Sequence, residues 1–566
     1  MIVLLKGIES GVAKLKLSGA KIIMETLLEQ GVDTIFGYPG GQIMPLYDAL
    51  YDYTEDGRIR HILTAHEQGA THAADGYARS TGGVGVCFAT SGPGATNTVT
   101  GIATANIDSV PMVVITGQVP IASIGKDSFQ EVDIVGITLP VTKHSYAVRA
   151  VEELAPIIRE AFCIAKSGRP GVVLVDVPKD LMVAKCDYRK AEPLPAEKIE
   201  TVSDEDILEI ARLINESKRP VIYAGGGITV SDTSRELRQL AETSNIPTGT
   251  TLMCLGNFDR THPLSLGMIG MHGEREANLA VHNSDLLISI GARFSDRVTG
   301  DTTRFARDAK ILHIDIDGSE IGKNIGSDKC VIGDLKEILC RVLPYIEKND
   351  RAEWVKQVQS YQREIPTTDY LDPTKAILAV NKVFTSDAIV ATDVGQHQMW
   401  TAQKWPFTKP RHLITSGGMG TMGFGMGAAI GSKIANPDSE VVLFTGDGSF
   451  RMNLNELITA SAEGVKVTVI ILRNHTLGMV RQWQKLFFTK RYSATDLKDV
   501  INYEGLAESF GLKGFLVNSL EELDVALNHA KQSDTTTIIA CDIYTDENVW
   551  PIVPPGDAIN NQVVSE

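Results

Sequence analysis

The sequence predicts an α/β protein built from three doubly wound parallel-sheet domains. Three observations predict it. The length, 566 residues, suits about three or four domains of ordinary size. Apolar runs of strand length end again and again in glycine-rich loops and are followed by helical spacing, the pattern of βαβ units. Two stretches poor in core residues, 188–204 and 347–373, read as linkers, which leaves domains at 18–187, 205–346 and 374–556.

Composition narrows the function classes. A chain with 43% apolar and 22% charged residues has the make-up of a soluble globular protein, and a formal charge of −16 argues against nucleic acid or anionic membranes as partners. The seven cysteines show no CxxC or other metal-ligand spacing, and their odd number does not suggest a disulfide framework, so a reducing compartment fits. The opening MIVLLKGIES is too weakly apolar for a signal-peptide core, and no run approaches membrane-spanning length. The expectation is a mature cytoplasmic chain.

In the first domain Ser18 is placed to cap a helix through Gln30, closed by Gly31, before a strand at 34–36 and the turn-rich Gly37-Tyr38-Pro39-Gly40-Gly41. A strand at 60–64 leads to a helix over 66–79 with Glu67 in its first turn, where a carboxylate complements the helix dipole. A strand at 84–89 runs into Thr90-Ser91-Gly92-Pro93-Gly94-Ala95-Thr96-Asn97. Further strands at 110–117 and 171–177 border loops holding Gln130, Arg169 and Lys179. Such strand-end loops are most often plain solvated connections.

After the first linker, strand 220–224 enters Gly225-Gly226-Gly227, strand 285–290 enters Gly291-Ala292-Arg293-Phe294, and strand 311–316 ends at Asp317. Strands with glycine-rich ends suggest a nucleotide-binding Rossmann-like domain, although a run of three glycines alone is poor support.

The last domain carries the sharpest stretch. A strand at 441–444, a Gly446-Asp447-Gly448 turn, a helix over 453–462 and a strand at 465–472 form one βαβ unit. Parallel strands joined by a helix end on one edge of the sheet, so Asp447 and Asn474 meet. Mg²⁺ wants hard oxygen donors and is commonly shared with phosphates. The Asp447 carboxylate, the Asn474 amide oxygen and a backbone carbonyl near Thr476 supply three. Gly446 and Gly448 let backbone approach an anion, and the following helix N-terminus favours negative charge, so a diphosphate would complete the shell. The segments from Val86 and from Val441 also read alike, as strand, glycine loop and helix, a weak hint of two related domains.

A Gly-Asp-Gly is by itself most often a tight turn. Following a buried strand, with an Asn 27 residues beyond Asp447, it resembles the signature of the thiamine diphosphate (ThDP) enzymes. That family's pattern ends in Asn-Asn, whereas this chain has Arg473-Asn474; the metal-ligating position is kept, and the departure bears on the hydrogen bonding around it. The setting of Glu67, AHEQGATHAADGYAR, resembles the family's pyrimidine-binding half. There the glutamate bonds the aminopyrimidine ring and promotes deprotonation of the thiazolium carbon. Met271-His272-Gly273, the segment 291–300 and Asp315-Ile316-Asp317 resemble the flavin (FAD) segment of the acetohydroxyacid synthase family, with Ser295 where that family usually has Asp. The resemblance spans about 18–555.

The resemblance implies roles residue by residue. Glu67, Gln130 and Lys179 would be catalytic or positioning. Glu67, Gly395, Gln396, His397, Gly420, Met422, Gly446, Asp447, Gly448, Ser449 and Asn474 would hold ThDP, with Met422, otherwise a natural core packer, wedged between its rings. Asp447, Asn474 and Thr476 would hold Mg²⁺. FAD would lie against Arg169, Gly225, Gly226, Gly227, His272, Gly273, Gly291, Ala292, Arg293, Asp315, Ile316 and Asp334. Met271, Arg293 and Trp483 would meet substrate, Trp483 selecting the larger acceptor. The implied reaction condenses decarboxylated pyruvate with pyruvate or 2-oxobutyrate in branched-chain amino acid biosynthesis. A homodimer or homotetramer is implied, with room for a small regulatory subunit, and neither nucleic acid nor membrane as partner. Three alternatives stay open: an FAD-dependent pyruvate oxidase, an FAD-free fermentative acetolactate synthase, and an inactive cofactor-binding scaffold.

Overall fold

The computed structural model of the chain describes residues 15–195, 199–362, 368–498 and 500–565. They fall into two compact units: one within Met1–Asp75 and Val84–Glu197, the other comprising Gly76–Gly83 and Lys198–Glu566.

The first unit contains β1 (Leu15–Ser18), β2 (Thr34–Gly37), β3 (Arg60–Leu63), β4 (Gly85–Ala89), β5 (Met112–Gln118), β6 (His144–Ala147), β7 (Val172–Pro178) and β8 (Lys185–Tyr188). Its main sheet runs β3-β2-β4-β5-β7-β6, parallel throughout. Strands β4, β5 and β7 are buried at every position, because helices cover both faces; this is why they read as continuous rather than alternating apolar runs. Ser18 does cap the helix Gly19–Glu29 by accepting from Lys21 N. It also closes β1, which pairs antiparallel with β8 in a two-stranded ribbon. Tyr188, assigned above to a linker, is therefore buried structure, its hydroxyl bonded to Glu29.

The second unit holds two sheets. The central one is formed by β9 (Pro220–Ala224), β10 (Thr248–Thr250), β11 (Ser265–Met268), β12 (Leu286–Ile290), β13 (Lys310–Asp315) and β14 (Lys329–Ile332) in the order β11-β10-β9-β12-β13-β14, all parallel. The chain starts in the middle, winds one way, then returns to wind the other, so β9 and β12 flank a topological switch point. The stretch 347–373 is not wholly linker. It contains the helix Ala352–Gln359, whose Trp354 and Val358 are buried in the central core, with Trp354 Nε1 donating to Pro220 O at 2.9 Å. The charged residues around these two apolar positions mask the helix in the sequence.

The last sheet is formed by β15 (Ile389–Thr392), β16 (Leu413–Ile414), β17 (Val441–Gly446), β18 (Thr468–Arg473), β19 (Lys513–Val517) and β20 (Thr537–Asp542), in the order β16-β15-β17-β18-β20-β19, again parallel. Apolar clusters cover each of its faces. The helix expected over 453–462 is shorter: a 3₁₀ turn at Leu454–Glu456 precedes the helix Leu457–Ala462. Asp447 and Gly448 are not in a separate tight turn either, since Gly446 ends β17 and Asp447–Phe450 is a helical turn.

Candidate functional site

Strands β17 and β18 pair in parallel with Gly446 opposite Leu472, so their carboxyl ends open on the same edge. A cleft of about 480 Å³, open to solvent, lies there. It gathers ten of the expected residues: Gly395, Gln396, His397, Met422, Gly446, Asp447, Gly448, Ser449, Asn474 and Thr476. Asp447 is 1% exposed; its Oδ1 accepts from Gly448 N at 3.0 Å and its Oδ2 from His475 N at 2.8 Å. His475 has a left-handed backbone, φ +61°, uncommon for a non-glycine residue. Asn474 Oδ1 accepts from Thr476 N at 3.3 Å, and Thr476 Oγ1 donates to Thr495 O at 2.8 Å. Two oxygen-bearing side chains and a backbone loop thus converge, a donor set suited to a hard divalent cation. Arg473, the departure from the Asn-Asn pattern, is engaged with Asp542, Nη1 to Oδ1 at 2.7 Å.

The glycines of this edge make room for His397. A Cβ at Gly395 or Gly446 would come within 2.8 or 2.9 Å of its ring. His397 is buried, its Nε2 meets no hydrogen-bond partner among the described residues, and burial pushes its pKa down to about 3, which keeps the ring neutral. Beneath the cleft Asp393 is buried and ties three segments together, accepting from Gly425 N at 2.8 Å and Thr445 Oγ1 at 2.7 Å. Gly420 stands aside: it is not among the cleft residues, and an added Cβ would find Val394 Cγ1 at 3.8 Å.

The sequence reading missed part of the lining. Val394, Trp400, Leu472 and Leu477 complete it, with Gly478, Met479 and Val480 from the stretch just before Trp483. A signal existed at Gly478: it opens the helix Gly478–Phe487, and a Cβ there would sit 1.9 Å from Gln396 Oε1. Trp483 lies on this helix but does not line the cleft. Its ring takes the Arg297 guanidinium at 5.5 Å and Phe487 edge-on at 5.7 Å. Arg297 Nη1 also reaches Met271 Sδ at 3.4 Å, so Met271, Arg297 and Trp483 form one group.

At the central switch point the glycines serve packing first. Gly225 N donates to Ile290 O and Gly227 N to Gly291 O, each at 3.0 Å, and a Cβ on Gly225 would stand 2.2 Å from Gly291 O. Gly226 is different, since its nearest neighbour would be Met253 at 3.4 Å. Arg293 O accepts from Tyr223 Oη at 3.0 Å. Asp315 is buried at the end of β13, its Oδ1 accepting from Asp317 N across Ile316. Asp334 caps the helix Leu335–Val342, accepting from Glu337 N at 2.9 Å. His272 is buried with Nδ1 unpartnered among the described residues; burial and the nearby Arg297 push it down to about 4. Gly273 packs tightly, an added Cβ lying 2.5 Å from Gly270 N.

The remaining expected residues belong to the first unit. Glu67 is 8% exposed at the start of the helix Glu67–Thr81, and Asn97 Nδ2 donates to its Oε2 at 2.9 Å. Gly94 leaves space at the other oxygen, where a Cβ would stand 3.1 Å from Oε1. Gln130, at φ +62°, packs its backbone against Gly92. Lys179 is half-buried at the start of the helix Lys179–Val183. Arg169 Nε donates to Ser109 Oγ at 2.8 Å, so it lies in a different unit from the rest of the set expected to hold flavin.

Comparison with known proteins follows the same division. Residues 17–137 match the thiamine pyrophosphate enzyme N-terminal TPP binding domain, 207–342 the central domain and 393–541 the C-terminal TPP binding domain. The chain is 49% identical over 563 residues to the acetolactate synthase large subunit of Parasynechococcus marenigrum, covering 97% of this chain and 91% of that one. It is 45% identical over 558 residues to the acetolactate synthase isozyme 1 large subunit of Escherichia coli, covering 97% and 98%. It is 46% identical over 569 residues to the probable acetolactate synthase large subunit of Methanocaldococcus jannaschii, covering 97% and 95%.

Proposed function

Because this chain belongs to the thiamine pyrophosphate enzymes, and within them to the acetolactate synthase large subunits, we propose that it decarboxylates pyruvate and joins the two-carbon unit to a second 2-oxo acid. Pyruvate as acceptor gives 2-acetolactate, and 2-oxobutyrate gives 2-aceto-2-hydroxybutyrate. The observation that carries the reading is the meeting of Asp447, Asn474 and Thr476 with Gly446 and Gly448 on one strand edge.

The residues fit the cofactor. The cleft has oxygen donors for Mg²⁺ at its β17–β18 edge, glycines that keep a diphosphate path clear, and Met422 on its wall. When bound, ThDP supplies a nucleophilic carbon and an electron sink that lets the pyruvate carboxylate leave as CO₂. Asp447 and Asn474 would hold the cation, which would supply positive charge for a diphosphate, while the neutral His397 adds no competing positive charge. Glu67, held by Asn97 through one oxygen with space at the other, would hold and return a proton at its free carboxylate oxygen. Gln130 and Lys179 orient the substrate carboxylate. Arg293 and the Met271–Arg297–Trp483 group face the acceptor, Trp483 favouring the longer chain.

FAD forms part of the proposal as a structural group, because carboligation transfers no net electrons. The switch point between β9 and β12, with Gly226 open and His272 Nδ1 unpartnered, fits a dinucleotide there. The reading further includes at least a homodimer, a regulatory subunit, a role in branched-chain amino acid biosynthesis and a cytoplasmic setting, consistent with seven free cysteines. Among the described residues no helix is long and apolar enough to cross a membrane.

Product analysis tests the reading. Purified protein given ThDP, Mg²⁺, pyruvate and 2-oxobutyrate should release both acetohydroxy acids, and its spectrum should carry flavin bands. Absence of both products defeats the proposal, as does rapid stoichiometric flavin bleaching by pyruvate without oxygen.

A further inference from the structure

A chain of buried amides runs from the proposed cation site to the 547–549 segment. Asn474 Nδ2 donates to Gln396 Oε1 at 3.1 Å. Gln396 Nε2 spends both hydrogens, one on Gln482 Oε1 at 3.0 Å and one on Glu547 O at 2.8 Å. Gln482 Oε1 accepts a second bond, from Val549 N at 2.9 Å, and Gln482 Nε2 donates to Val549 O at 3.0 Å. Gln482 is 1% exposed, Gln396 4% and Asn474 5%, so water does not offer these groups substitutes.

The polarity of the chain is set from its far end. The backbone N–H and C=O of Val549 cannot exchange roles, so they dictate which end of the Gln482 amide is oxygen. That oxygen and the Glu547 carbonyl together require donors from Gln396, which turns the Gln396 oxygen toward Asn474. Asn474 must then offer its NH₂ to Gln396, leaving Oδ1 on the side of Thr476, whose N–H it accepts. A flip at any link would bring two donors or two acceptors together in a buried site.

On the strength of the proposed function, we infer that Gln482 is a positioning residue: it sets the orientation of the Asn474 amide, so that the cation site forms only when the helix Gly478–Phe487 and the 547–549 segment are docked. The helix carries Trp483, one residue on, and so acceptor selection and cation affinity share one support. Gly478 belongs to the same device, since any side chain there would strike Gln396 Oε1 at 1.9 Å and Asn474 Nδ2 at 2.6 Å.

The test compares Gln482→Met, which removes both polar ends at similar length, with Gln482→Glu, which keeps an acceptor for Gln396 and Val549 N and, with its carboxyl protonated in this buried site, an O–H in place of the donor to Val549 O. Trp483→Leu serves as the control that disturbs the helix without touching the amide chain. Mg²⁺ binding in the presence of ThDP is measured directly by calorimetry, and the ratio of the two products is measured separately. Gln482→Met should weaken Mg²⁺ binding roughly 10–100-fold, the usual loss when a group orienting a metal ligand is removed, and should shift the product ratio. Gln482→Glu should restore most of the affinity, and Trp483→Leu should move only the ratio. Equal loss in Met and Glu variants, or Mg²⁺ affinity within twofold of wild type in Gln482→Met, overturns the inference. If Gln482→Met does not fold, Gln482→Glu and Gly478→Ala decide it, the latter expected to lose affinity with Gln482 intact. Wild-type protein that forms no acetohydroxy acid would sink the functional reading instead, and that assay is independent of the variants.

Discussion

In the first sheet the loop after β4 receives its acid from elsewhere: Glu67 arrives on the preceding helix and is met by Asn97. In the last sheet the loop after β17 carries its own acid, Asp447, directly on the strand end, and Asn474 answers it from the end of β18. The two sheets share one strand order, β3-β2-β4-β5-β7-β6 against β16-β15-β17-β18-β20-β19, and differ from the central β11-β10-β9-β12-β13-β14. At the end of β5, the counterpart of β18, stands Gln118, which is occupied by a buried carboxylate: it donates to Asp176 Oδ2 at 2.9 Å, and Thr116 Oγ1 donates to Oδ1 at 2.7 Å. The same scaffold therefore gives one edge whose side-chain oxygens face a cleft and another that turns them inward. Topology sets where a strand ends; the side chain there decides whether that end can take a charged ligand.

Four experiments can break or sharpen that contrast. The largest effect is expected at Glu67. Glu67→Gln should lower turnover roughly 10²–10⁴-fold, the usual loss of proton-transfer assistance, with ThDP and Mg²⁺ still bound. Steady-state rates at saturating cofactor measure it, and unchanged turnover would reject the role.

Next comes Asp176, whose carboxyl burial pushes up to about 7, against the bonds from Thr116 and Gln118 that favour the charged form. The folded protein then holds a proton that the unfolded chain, with an ordinary carboxylate, releases near pH 4. This group's contribution to stability is fully present below about pH 4 and is lost as pH rises through about 7, by up to ~4 kcal/mol. Urea midpoints measured between pH 4 and 8 should fall with pH for the native protein and fall less for Asp176→Asn. An identical slope in both would assign the proton to another group.

Asp447→Ala should act on retention rather than chemistry, weakening Mg²⁺ binding by more than about 100-fold, since losing a ligand costs more than losing a group that only orients one. Equilibrium dialysis with metal analysis reads it directly, and normal retention would remove Asp447 from the cation site. The smallest effect belongs to Trp483→Leu. One methylene separates the acceptors, so hydrophobic contact is worth at most about 1–3 kcal/mol, and the preference for 2-oxobutyrate should relax by no more than roughly 200-fold. A mixed-substrate product ratio that does not move would place selection elsewhere.

How much was legible beforehand can be argued from particular residues. The meeting of Asp447 and Asn474 followed from βαβ connectivity alone, because adjacent parallel strands must end on one edge, and β17 and β18 are indeed neighbours. Ser18 as a helix cap needed only its neighbours in sequence. The helix Ala352–Gln359 escaped notice because two buried positions, Trp354 and Val358, are too few for a strong period. Asp334 drew attention as a candidate flavin ligand although its oxygen is used in capping a helix, which local sequence permits but does not announce.

By itself the sequence determined the α/β class, the glycine-ended strands and the acid and amide that face each other at the last sheet's edge, since periodicity and parallel connectivity act over short separations. Tertiary structure alone decided that Gly225 and Gly227 yield their space to Gly291, that Asp176 is shut in beside Gln118, and that Gln482 reaches Gln396 across 86 residues of chain. The reason is the nature of the forces: apolar burial leaves a repeating trace along the chain, whereas a single buried hydrogen bond between distant amides leaves none and exists only once packing has excluded water from both partners.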